Sequence, residues 1–162
     1  MSAVKLQDGQ AATRAKESRG RASYERDYYS WTIQQAAALR EGQIAALDLE
    51  NLAEEIEDLG KEQFSKLESA LRLILLHLSK WDRQPKRRTR SWVLTIERER
   101  YATVLGDNPG LKPRRVEALG RAYRLARIEA MDETGLPRTA FPEDCPYSLD
   151  EVLTRPIEWP EP

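Results

Sequence analysis

One cysteine, Cys145, and one histidine, His77, stand in 162 residues. A lone cysteine cannot close a disulfide within the chain, so a reducing, cytoplasmic compartment is the default. A lone histidine removes most transition-metal chemistry. Ferritin-like sites need a Glu-x-x-His pair on each of two helices, and the residue three before His77 is Ile74. A His/Cys zinc site fails on the same arithmetic, and nothing specific supports an oxygen-only magnesium site. No metal and no cofactor is expected. Glycine is sparse, at 8 residues, and no glycine-rich phosphate loop occurs; Gly106 to Gly110 reads as a turn around Asp107, Asn108 and Pro109. Cys145 has no base beside it, and Ser91 lacks a nucleophile-elbow context. Net charge is also nearly missing: 26 cationic against 27 anionic side chains leave −1. No global field draws the chain to nucleic acid or anionic lipid. The longest apolar run is broken by His77 and Lys80, so no membrane span is expected, and the N-terminus lacks the basic-then-apolar pattern of a secretory signal. No run alternates strictly enough for a strand, and no internal repeat is visible.

What the chain does have is charge sorted along its length. Between Asp48 and Trp92 an acidic half (Glu50, Glu54, Glu55, Glu57, Asp58, Glu62) runs into an apolar half from Leu67 to Leu78. A basic stretch follows (Lys80, Arg83, Lys86, Arg87, Arg88, Arg90), with Trp81 and Trp92 near its ends. Such sorting either holds a helical fold together or makes a binding face.

The periodicity is helical throughout. Residues 1–21 read as a flexible tail and 22–162 as a single helical domain. Tyr24, Tyr28, Trp31, Ile33 and Leu39 mark a first helix over roughly 22–40. Asp48 is an N-cap, and Leu49, Leu52, Ile56 and Leu59 recur at spacings of three and four, continued by Leu67, Leu71, Ile74, Leu75 and Leu78. Gly60 marks a kink or split, and Pro85 ends the segment. Thr89 or Ser91 caps a third helix to about Leu105. Pro113 suits the first turn of a fourth, whose face is Val116, Leu119, Tyr123, Ala126 and Ala130 and whose stop is Gly135. Ser148 and Glu151 form a capping box for a short last helix. The expected fold is all-α: three to four principal helices in a bundle, with an extended proline-rich C-terminal segment on its surface. Leu52, Ile56, Leu71, Ile74, Leu78, Trp81, Leu119 and Tyr123 are the expected core.

Read in order, YERDYYSWTIQQAAALR, LDLENLAEEIEDLG, HLSKWDRQPKRRTRSWVLTI, ETGLP, FPEDCPYSLDEVL and a terminal Trp-Pro closely resemble the bacterial domain-of-unknown-function family 29, common in cyanobacteria. The resemblance covers about residues 24–160. It implies an all-helical fold and carries over no catalytic or binding residue.

Candidate sites rest on the residues themselves. Glu50–Glu54 and Glu54–Asp58 are like-charge pairs four apart, each costing about 0.2–0.5 kcal/mol on a helix. Something positive should answer Glu54, Glu55 and Asp58, and arginines between 83 and 100 are the expected partners, because Arg pairs with carboxylates bidentately. Lys80, Arg87, Arg88, Arg90 and Trp92 are the alternative binding group: cations for phosphates, a ring for bases. Arg72 and His77 are the weak catalytic candidates. Arg-then-His at short spacing resembles the ribonuclease motif of the HEPN class, but the two lie about 140° apart on a helical wheel. The simpler reading of His77 is a partly buried ring bonded to a backbone carbonyl. The function expected is a non-enzymatic protein-interaction or adaptor role, with another protein or a second copy as partner. A nucleic-acid module using the 80–100 region is the alternative, and a HEPN-like ribonuclease the second alternative.

Overall fold

The structure is a computed structural model that describes residues 23–105 and 108–160. The tail proposed for residues 1–21 lies outside the described residues. Helices are α1 (Tyr28–Arg40), α2 (Leu49–Arg83), α3 (Arg90–Leu105), α4 (Arg115–Thr134) and α5 (Leu149–Thr154). Short 3-10 turns stand between them, and among the described residues there is no strand. The fold is all-α, as expected. The residues cluster in two compact units, one ending at Asp58 and one beginning at Leu59. Gly60 interrupts nothing: α2 runs 35 residues through it.

Three of the helix boundaries read from the sequence are where they were expected. The Asp48 carboxylate accepts from Asn51 N–H at 3.4 Å. Gly135 closes α4 in the left-handed region at φ 67°. Ser148 and Glu151 form both halves of the capping box. Pro113 falls in a 3-10 turn (Pro109–Arg114) that precedes α4 rather than in its first turn.

The first unit has little interior. Among its described residues Trp31 and Ala38 are the buried apolar side chains. Polar bonds join α1 to the start of α2. Trp31 Nε1 donates to Asp48 at 3.2 Å. The buried Gln35 carbonyl accepts from Asp48 N–H at 2.8 Å. Tyr24 and Tyr28 each donate to Glu55 at 2.6 Å.

The second unit holds the core. Leu71, Ile74, Leu75 and Leu78 of α2 are fully buried against Ile96 of α3, Ala118, Ala122, Tyr123 and Ala126 of α4, and Phe141 and Val152. Alanines every four residues give α4 a low face on which a large-residue helix can lie. Of the eight expected core residues, Leu71, Ile74, Leu78, Trp81, Leu119 and Tyr123 are buried. Two are not: Leu52 is half-buried and Ile56 is 67% exposed. Val116, placed on the packed face of α4 by its spacing, is also exposed. Helical periodicity marks a face as apolar; it does not say that another element covers it.

The C-terminal segment is fastened by arginines. Arg83 Nε donates to the Ala140 carbonyl and Arg127 Nε to that of Phe141. Tyr123 Oη donates to the Pro142 carbonyl. Arg100, 6% exposed, donates to the carbonyls of Glu151, Val152 and Arg155. Asp82 receives both Arg155 nitrogens, at 2.6 and 2.9 Å, and the Tyr147 hydroxyl at 2.9 Å. Burial pushes the Asp82 carboxyl up, but the Arg155 and Tyr147 bonds outweigh it and hold it below its ordinary value.

Candidate functional site

Of the acidic candidates, Glu55 finds its partners within the first unit. Glu55 takes two phenols where a guanidinium was expected. The rings of Tyr24, Tyr28 and Trp31 pack with centroids 4.9 to 5.8 Å apart. The Glu55 bond pushes the Tyr24 hydroxyl up to about 12 and raises Tyr28 too. Glu54 and Asp58 are exposed. The aromatic donors that answer Glu55 and Asp48 were visible in the sequence as YERDYYSW, but no spacing rule connects them to carboxylates 17 to 31 residues away.

The cations divide. Arg83 and Arg100 are bound by backbone carbonyls of the C-terminal segment. Lys80, 8% exposed, pairs with Glu133, and its ammonium lies 4.5 Å from the Trp92 ring centre. Arg88 donates to the Trp81 carbonyl at 3.0 Å and lies over that ring at 4.6 Å. Lys86, Arg87 and Arg90 are exposed, and among the described residues none of the three takes an ion pair. Lys80, Arg88 and Trp92 thus make contacts within the fold, whereas Arg87 and Arg90 lie at the surface.

Arg72 and His77 take separate partners. Arg72 pairs with Glu129. His77 Nδ1 lies 2.8 Å from the Leu73 carbonyl, an acceptor only, so Nδ1 carries the hydrogen. Burial pushes the His77 pKa down; the Leu73 bond opposes this, and nearby Lys80 adds to the fall. The ring is neutral at pH 7 and half-buried. Among the described residues no group of three or more His, Cys, Asp or Glu side chains is placed to hold a metal, and no helix is long and apolar enough to cross a membrane. A groove of about 560 Å³ is lined by Lys66, Ser69 and Leu73 of α2, Glu99 and Thr103 of α3, and Leu111 and Arg115.

What the sequence reading missed are apolar residues left in water. In the first unit Ile33, Ile44, Leu49 and Ile56 are all more than half exposed. On α3, Leu94 and Tyr101 are 57% and 68% exposed. Their spacing of seven was legible, but Val93, Ile96 and Arg100 carry the buried face of the same helix.

A model of the family described as domain of unknown function DUF29 matches residues 23–157. The chain belongs to the DUF29 family. Neither a curated protein nor a solved structure matches it. The DUF29 match takes in the described part of the first unit and nearly all of the second. Of the family-like motif residues, Trp31, Asn51 and Glu55 hold the polar network of the first unit. Lys80, Trp92 and Glu133 form one cluster in the second.

Proposed function

We propose that this DUF29 chain is a non-enzymatic protein-interaction module whose first unit presents an apolar helix face to a protein partner. The observation that carries the reading is the exposure of Leu49 and Ile56, 63% and 67%, on an α2 face whose continuation forms the core of the second unit. Covering one such side chain is worth about 1.5–3 kcal/mol, so a partner that covers both gains a useful share of a binding energy. Isolated exposed leucines need no explanation, but a row of them on a unit with so little interior does. The single half-buried cysteine suits a cytoplasmic location.

The test is a photo-crosslinking amino acid placed at position 56 in the cell. A defined protein adduct, lost when Leu49→Ser is added, is expected. No adduct at 56, with one at a core-distant control position, would remove the reading.

A second reading has its own observation. Lys86, Arg87 and Arg90 are exposed cations without ion pairs among the described residues, which supports weak electrostatic binding of nucleic acid. Its affinity should fall steeply with salt and fall again in the Arg87→Ala, Arg90→Ala double variant.

A further inference from the structure

The face of α2 and a face of α3 have matching layouts and opposite charge. On α2, Leu49 and Ile56 are seven residues apart and Ala53 lies between them, all within about 60° on the helical wheel. Glu50 and Glu57 border this stripe, and Glu54 lies beyond them. All three glutamates are exposed, and among the described residues none takes an ion pair.

On α3, Leu94 and Tyr101 are also seven residues apart and also exposed. Arg90 and Arg98 stand four residues to either side of Leu94 and so share its face. Arg87 and Lys86 add charge at the start of that helix. Among the described residues Arg90 takes no ion pair, and no acid occupies the first turn of α3, where the helix dipole is least favourable to a cation. Arg98 is 71% exposed at its side chain and pairs with its neighbour Glu99.

We infer that the partner of the Leu49/Ile56 face is the Leu94/Tyr101 face of a second copy of this chain. The inference rests on the interaction reading above and gives it an occupant. Two α2 faces would oppose Glu50 and Glu57 to themselves, and two α3 faces would oppose Arg90 to itself. Like charges across a contact cost energy, and unlike ones steer and fix it. Only the unlike faces complement each other, so each contact joins an α2 face to an α3 face. Such contacts close as a two-fold dimer where both pairs are met at once, and otherwise continue into a ring or an open chain.

This asymmetry supplies the test. Ile56→Asp spoils the α2 face and leaves the α3 face intact; Leu94→Asp does the reverse. Both positions are exposed, and circular dichroism checks that both variants keep the helical fold. Light scattering on the full chain should show wild type associating beyond one chain, to a dimer or further, as concentration rises. Each variant alone should remain at the 18.6 kDa of one chain. Their mixture should form a 1:1 complex of twice that mass and no more. High salt should dissociate the mixture. Glu57→Arg should weaken wild-type assembly, and mixing it with Arg90→Glu should restore association. A monomeric wild type, or single variants that still assemble, overturns self-docking. A monomeric wild type that still gives a position-56 adduct to another protein overturns self-docking alone and leaves the interaction reading standing. A monomer with no adduct removes both.

Discussion

Glu55 carries two phenols, and that makes its neighbours unusual acids. Tyr24 needs a pH of about 12 to ionise, against about 10 for a free tyrosine. The neutral phenol is the form the fold holds. Its contribution is therefore complete below pH of about 10 and fades as pH rises toward 12. Ultraviolet titration should show a late tyrosine in wild type, and Glu55→Gln should move it down toward the ordinary range. Asp82 runs the other way. Its pKa is held down by Arg155 and Tyr147 despite burial, so its contribution is present above about pH 4 and is lost as pH falls. Asp82→Ala should cost about 2 kcal/mol at neutral pH, the scale of a charge-assisted hydrogen bond, with the loss shrinking in acid. Denaturant melts of both proteins at several pH values measure this. His77 resists protonation because it is half-buried. Its neutral form is favoured by folding, so acidification below about pH 6.5 should cost some stability. RNA incubated with the protein should stay intact with or without His77→Ala.

At the scale of the element, one helix gives two answers to one sequence pattern. Ile56 and Ile74 are both on the apolar repeat of α2, yet one is 67% exposed and the other wholly buried. Ile74→Ala should cost about 2–5 kcal/mol by the cavity it leaves. Ile56→Ala should stay within about 0.5 kcal/mol, as surface changes do. Equal losses in the two melts would mean that Ile56 is covered in solution. The same contrast marks what was legible in the sequence. Helix ends were, because caps are local: Asp48, Gly135 and the Ser148–Glu151 pair each act within four residues. The core of the second unit was, because its apolar rows are long. Charge partners were not. Arg83 and Arg100 go to carbonyls of an irregular segment, whose backbone needs donors, and no side-chain pattern announces that. Tyr24 and Tyr28 reach Glu55 only once α1 and α2 are folded.

For the molecule as a whole, stability is distributed unevenly. The second unit holds nearly all buried apolar side chains among the described residues, while the first relies on hydrogen bonds around Asp48 and Glu55. Regions with few buried contacts open at lower free energy. Native-state hydrogen exchange should therefore find α1 amides exchanging faster than those of Leu71 to Leu78. If a second copy docks on the first unit, that gap should narrow as protein concentration rises, because binding protects what it covers.

The grip on the loop before α5 has a separate consequence. Arg83, Arg127 and Tyr123 hold the carbonyls of Ala140, Phe141 and Pro142, three in succession. Main-chain oxygens are the same for every amino acid. The loop is thus held by its spacing rather than its spelling. Ala140 can be exchanged for residues of similar size without disturbing a single one of these bonds. One inserted residue between Phe141 and Pro142 would put donors and acceptors out of step. Among related chains, this stretch is free to drift in letters and bound to keep its length.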